Sequence, residues 1–240
     1  RVRWVGEPIV AVIADTYEQA TDAAQAVFVD IDPLPAITDM NEALTSDTHI
    51  YPANGSNAVF DSVALGGGTI SGDEFFDGCD VVITEELLNQ RVAPCPLEPR
   101  AAAAVWADGR LHQWLSTQHA QGSVGPIAAA NGVDAAEVHV ITPDVGGGFG
   151  AKIGCYSEEL ILGRLAADVQ RPVRFRETRS ESMMNLGHGR AQNQKITVGG
   201  SRDGRITHFR LEMVQDSGGF CEIGTILGAL FTRRMAAGVY

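Results

Sequence analysis

No uninterrupted apolar run in the 240 residues is long enough to span a bilayer. Cysteine is sparse: Cys79, Cys95, Cys155 and Cys221 are widely scattered, and no two have the close spacing of a zinc or iron–sulfur motif. Four thiols in a chain of this size do not make a disulfide framework, and reduced cysteines in a cytoplasmic protein are the expectation. Basic residues are nearly missing from the first ninety positions, where Arg1 and Arg3 stand against 16 Asp and Glu. A formal net charge of −12, with no basic patch interleaved with aromatics, excludes a nucleic-acid partner. An initiating Met and a secretory leader are also lacking. Arg1-Val2-Arg3-Trp4 reads as a strand already under way, so a piece cut from something longer is expected.

What is present is ordinary globular composition: 45% hydrophobic, 20% charged, with 27 Gly and 10 Pro to make many turns. Residues 2–14 read as two strands about a Gly-Glu-Pro turn. Thr16 to Ala26 reads as a helix with Ala20, Ala23 and Ala24 on one side, and Phe28 to Ile31 as a further strand. This βαβ-like unit is expected to end near Leu44. Residues 45–80, rich in Ser, Asn, Asp and Gly and holding Gly66-Gly67-Gly68, read as a surface linker. The acidic bias stops near residue 90, and a new domain is expected from Val81. Asp108-Gly109 between Ala101–Trp106 and Arg110–Ser116 predicts a hairpin, as does Asp203-Gly204 between Gln194–Val198 and Ile206–Val214. Between the hairpins the pattern predicts helices near 123–131 and 157–169, and strands at 138–142 and 172–177. Two hairpins beside these helices make the fold α+β rather than uniformly parallel.

Several segments are placed to carry chemistry. Pro143-Asp144-Val145-Gly146-Gly147-Gly148-Phe149-Gly150-Ala151-Lys152 lets backbone N–H groups approach a ligand without interference from Cβ atoms. The alternative is a tight turn with Phe149 plugging the core. A P-loop fails, because Ala151 precedes Lys152 and Ile153 follows it; Gly146-x-Gly148-x-x-Ala151 matches a dinucleotide fingerprint formally, with Glu177 as its acidic partner. Three prolines between Pro94 and Pro99 stiffen the approach to Glu98 and Arg100, which are then held to pair with each other or with a partner. Gln118, in Ser116-Thr117-Gln118-His119, is an uncharged donor and acceptor at a strand end, suited to a ligand or simply polar. Arg164, Arg171, Arg174, Arg176 and Arg179 cluster, with pairing inside the protein favoured over phosphate binding.

Taken in order, Trp4-Val5-Gly6-Glu7-Pro8, Asn89-Gln90-Arg91-Val92-Ala93-Pro94 with Leu97-Glu98-Pro99-Arg100, Ser116-Thr117-Gln118 and Asp144-Val145-Gly146-Gly147-Gly148-Phe149-Gly150 resemble the large subunits of the molybdenum hydroxylases. This is the xanthine dehydrogenase, aldehyde oxidase and aerobic carbon monoxide dehydrogenase family. The resemblance implies that residues 1–44 end an α/β hammerhead domain, 45–80 form a linker, and 81–240 begin a mixed α/β molybdenum cofactor-binding domain. It implies that Gln118 hydrogen-bonds the apical oxygen of molybdenum and that Phe149 walls the substrate site. Gly147, Gly148, Phe149 and Gly150 would line the cofactor, and no side chain would ligate the metal. The implied cofactor is a molybdopterin, of the cytosine dinucleotide form, with FAD and [2Fe-2S] on partner subunits or domains in a higher oligomer. The implied reaction hydroxylates an aldehyde or N-heterocycle with water as oxygen source. The family's catalytic glutamate is expected outside these residues, so the 240 residues alone are expected not to turn over. Ile153 stands where xanthine-oxidising members carry a substrate-binding Glu, which argues against purines. A carbon monoxide dehydrogenase, a nucleotide-dependent dehydrogenase using Gly146–Ala151 and an inactive, partner-binding chain are the alternatives.

Overall fold

The computed structural model describes residues 1–59 and 70–236; Gly66-Gly67-Gly68 of the expected linker lie outside them. The chain divides into two compact units, each made of two separate segments: residues 1–34 with 93–187, and residues 35–92 with 188–240.

The first unit holds a four-stranded sheet in the order β4-β3-β2-β5, from β2 (Ala101–Ala107), β3 (Arg110–Leu115), β4 (Val138–Ile141) and β5 (Val173–Arg176). β2 and β3 form the expected hairpin. Asp108 and Gly109 both take positive φ, +52° and +73°, the geometry that lets a two-residue turn follow the strands' twist. β4 joins β3 in parallel. That arrangement requires a crossover, supplied by α3 (Ala120–Asn131). α4 (Ser157–Val169) follows the glycine loop and occupies the span expected of it. Alternate residues of the sheet, Ala102, Ala104, Leu111, Leu115 and Val138, close with Ile127, Ala128, Leu162 and Ala166 into one core. α5 (Arg179–Asn185) ends the unit.

In the segment 1–34 only the helix α1 (Tyr17–Gln25) forms, capped reciprocally by Thr16 and Gln19. The strands expected at 2–14 and 28–31 are absent: those residues join neither sheet among the described residues. A strand needs a neighbour to take its backbone hydrogen bonds and a sheet face to cover. Here Val5 and Phe28 stay 81% and 88% exposed. Arg164, Arg171, Arg176 and Arg179 of the arginine cluster find partners within the protein. Arg171 meets Asp15 at 2.7 Å, Arg164 meets Asp168 at 2.9 Å, and Arg176 lies 4.5 Å over the Tyr17 ring.

The second unit is built on a three-stranded antiparallel sheet, β1 (Val81–Val92), β6 (Gly189–Gly200) and β7 (Ile206–Gln215), in the order β1-β6-β7. β6 and β7 are the second expected hairpin. α2 (Met40–Thr45) and α6 (Ile223–Met235) complete the unit. Within the Ser- and Gly-rich stretch expected on the surface, Phe76 is buried beside His208 and beneath Arg210. None of the four cysteines forms a disulfide.

One buried cluster of the first unit fixes the segment that leads to the site. Arg100, 1% exposed, donates to Glu177 from Nη2 (2.7 Å), Nε (3.1 Å) and its backbone N (3.0 Å), and to Glu158 at 3.0 Å. Its guanidinium also lies 3.9 Å over the Tyr156 ring. Glu159 is the carboxylate farthest from this cation, at 3.8 Å. Burial therefore outweighs the attraction of Arg100 and the Tyr156 N–H, and pushes its carboxyl up to about 7. The unfolded chain loses that proton near the ordinary value of 4.5, so the native state holds an extra proton between about 4.5 and about 7. Stability attributable to Glu159 is therefore full below this window and falls as pH rises through it, by at most about 1.4 kcal/mol per pH unit. Glu159→Gln stays neutral and is expected to flatten this decline. Urea midpoints of both proteins at pH 5 and pH 7 check it, and an unchanged difference between the two pH values refutes it.

Candidate active site

The site is built around the loop between β4 and α4. Each of its three consecutive glycines faces a different neighbour. A Cβ on Gly146 would sit 2.6 Å from Glu98 Cβ, and one on Gly148 would sit 2.2 Å from Gln118 Oε1. One on Gly147 would lie 3.2 Å from Phe149 Cε2 and 3.3 Å from Pro96 Cβ. Space therefore demands glycine most firmly at position 146, against the root of Glu98, while Gly147 also takes a φ of +102° that favours glycine and the Gln118 side chain lies against Gly148.

Glu98 anchors the loop. Its N–H donates to the Gly146 carbonyl (3.2 Å), and its Oε2 accepts from Gly146 N–H (2.8 Å), Ser116 Oγ (2.7 Å) and Lys152 Nζ (3.0 Å). Lys152, 1% exposed, spends its remaining donors on the Glu98 carbonyl and Ser116 Oγ, both at 2.8 Å. Burial alone would raise the Glu98 carboxyl; the bonds from Ser116, Lys152 and Gly146, with the lysine's charge, hold it below the ordinary carboxylate value. Glu98 and Arg100 do not pair with each other: one side chain is spent on the loop, the other on the buried cluster.

Gln118 is exposed, yet its orientation is set. Oε1 accepts from the N–H groups of Gly150 (3.0 Å) and Lys152 (3.2 Å), while its own backbone N–H donates to the Lys152 carbonyl (2.8 Å). Two donors converging on one amide atom require that atom to be oxygen, so the amide NH2 is turned away with no acceptor among the described residues. Phe149 is 74% exposed at φ +54°. The expected alternative, a ring plugging the core, is therefore corrected. The core is already closed by the sheet and helices, and the ring lies over Gly147 beside Pro96. A bulky residue in left-handed backbone costs on the order of 1–3 kcal/mol and persists where its surroundings over-determine it.

The loop N–H groups of Gly146, Gly150, Ala151 and Lys152 are used internally. Those of Gly147, Gly148 and Phe149 find no acceptor among the described residues. Three consecutive N–H groups and the Gln118 NH2 thus have no acceptor among the described residues, beside an exposed Phe149 on the same loop. Gly150 serves by holding Gln118. A dinucleotide reading gains nothing here: α4 begins only at Ser157, well past Ala151, and Glu177 is spent on Arg100. Sequence reasoning missed Lys152 and Ser116 as anchors. No local signal reveals them, since Lys152 and Glu98 are 54 residues apart.

The chain is mixed α/β with two sheets, and comparison with known proteins shows its class. The family described as the molybdopterin cofactor-binding domain matches residues 50–240, and the chain belongs to it. It is 31% identical over 223 residues to the nicotine 6-hydroxylase large subunit of Paenarthrobacter nicotinovorans, covering 91% of this chain and 27% of that one. It is 27% identical over 235 residues to the carbon monoxide dehydrogenase large chain of Hydrogenophaga pseudoflava, covering 92% and 29%. Among solved structures, quinoline 2-oxidoreductase from Pseudomonas putida 86 superposes with a TM-score of 0.73 at 26% identity, covering 85% of this chain and 26% of that one. The chain thus spans about a quarter of the length of these relatives. Among the described residues no helix is long and apolar enough to cross a membrane.

Proposed function

We propose that the intact protein is a molybdenum-dependent oxidoreductase that hydroxylates an aromatic N-heterocycle or an aldehyde, with water as oxygen source. The observation that carries this reading is the Gln118 amide, whose oxygen is taken by two loop N–H groups so that its NH2 is turned away from them, on a loop that also exposes Phe149. The residues fit the cofactor. The Gln118 NH2 and the N–H groups of Gly147, Gly148 and Phe149 have no acceptor among the described residues, and such donors suit an oxo- and phosphate-bearing group. Gln118 and the N–H groups of Gly147, Gly148 and Phe149 would hold it. When bound, that cofactor supplies two-electron oxidation of the substrate carbon. The chain's own contribution is orientation: Gln118 donates a hydrogen bond, Phe149 offers an aromatic face to a planar substrate, and Glu98 with Lys152 keeps the loop from relaxing.

In the same reading, residues 1–44 close an α/β hammerhead domain, 45–80 link, and 81–240 open the cofactor-binding domain. The cofactor is the cytosine dinucleotide form. FAD and [2Fe-2S] sit on partner subunits or domains of a cytoplasmic higher oligomer. The names of two relatives, a nicotine hydroxylase and a quinoline oxidoreductase, favour an N-heterocycle. Ile153 in place of a carboxylate disfavours a purine. The test is metal analysis of the intact protein from its native host. About one molybdenum per chain is expected, and full-length protein free of molybdenum overturns the reading.

A further inference from the structure

The parallel register of β3 and β4 sets His112 directly beside His139. Their Nδ1 atoms are 3.3 Å apart, with ring centroids 5.4 Å apart and planes at 73°. His139 is exposed and His112 half-buried, and both alternate with core residues: Leu111 and Gln113 beside one, Val138 beside the other. The pair therefore lies on the sheet face away from the core and shares no residue with the loop site.

We propose that His112 and His139 chelate a divalent zinc-class ion. Zinc binds imidazole nitrogen at about 2.0–2.1 Å with tetrahedral preference, so nitrogens on two neighbouring corners stand roughly 3.3–3.4 Å apart. The two nitrogens already stand at that separation in their hydrogen bond, and a small turn of each ring brings both lone pairs onto one ion. Without metal, one Nδ1–H donates to the other ring's lone pair. On binding, the donor ring shifts its proton to Nε2, so both Nδ1 lone pairs face the ion and no net proton is released. Imidazole suits zinc, nickel and copper, with copper bound most tightly of the series. The strand ladder pins both backbones, so little order is lost on binding. No group of three or more His, Cys, Asp and Glu gathers among the described residues, so water completes the ion's shell. The ion would tie β4, a four-residue strand at the sheet's edge, to β3. Nothing in the sequence announces this site, because the two histidines are 27 residues apart and outside any ligand spacing.

The test uses the intact protein after dialysis against a chelator, titrated with zinc chloride by calorimetry and with copper(II) chloride by electron paramagnetic resonance. Saturable zinc binding is expected, weakened at least tenfold by His139→Gln and likewise by His112→Gln. The copper spectrum should show splitting from two nitrogens, reduced in either variant. Cys79→Ser is the control, since Cys79 Sγ lies 3.2 Å from His208 Nδ1 and is the competing thiol–imidazole pair to exclude. It is expected to leave the affinity unchanged. Zinc affinity that survives both histidine variants, or that disappears with Cys79→Ser, overturns the proposal.

Discussion

Gln118→Ala in the intact protein is expected to lower turnover roughly ten- to hundredfold while leaving the fold in place. A hydrogen bond to a charge-bearing group contributes about 1.5–3 kcal/mol, and each 1.36 kcal/mol is about tenfold in rate. Because Gln118 is exposed, water replaces its bonds to Gly150 and Lys152, and the stability change should stay near 0.5–1 kcal/mol. Gln118→Glu separates its two roles: a carboxylate still accepts both loop N–H groups but has no N–H to donate. Both variants should therefore lose turnover, and only the alanine should loosen the loop. The measurement is single-turnover reduction by substrate, after molybdenum occupancy and thermal midpoint have been matched to wild type. A wild-type rate at full occupancy in either variant would remove Gln118 from the site.

Arg100→Met carries the largest expected cost in stability, about 3–5 kcal/mol, because it strips the counter-ion from buried carboxylates. Glu177 has a fully buried side chain and loses two side-chain bonds at once, and Glu158 loses a third. Met fills a similar volume, so the loss reports on charge more than on packing. For a chain of this size each kcal/mol shifts the melting midpoint by about 2–4 °C, so a fall of roughly 6–20 °C is expected. Adding Glu177→Gln to Arg100→Met should recover part of it. A thermal scan that finds the single variant melting with wild type would show that the cluster tolerates an uncompensated charge. The consequence reaches the site, because Arg100 holds the end of the segment from which Glu98 grips the glycine loop.

Sequence alone determined the features whose cause lies within a few residues. Asp108-Gly109 dictates a hairpin because both positions tolerate positive φ. The span of α4 follows from its apolar spacing and the glycines before it. The order of the motifs carrying Gln118, Phe149 and the glycines was enough to suggest the family that residues 50–240 match. Tertiary structure alone decided everything that depends on choosing a distant partner. Apolar alternation at 2–14 and 28–31 satisfies a strand's pattern, but a strand exists only where a neighbour takes its hydrogen bonds, and these residues join neither sheet. Val81 finds Gly200, Glu98 finds Lys152, Arg100 finds Glu177 and His112 finds His139 by competition among many possible contacts. Burial settles that competition: a charge leaves water only where its counter-charge and hydrogen-bond partners are already assembled, and no local run of residues encodes where that will be.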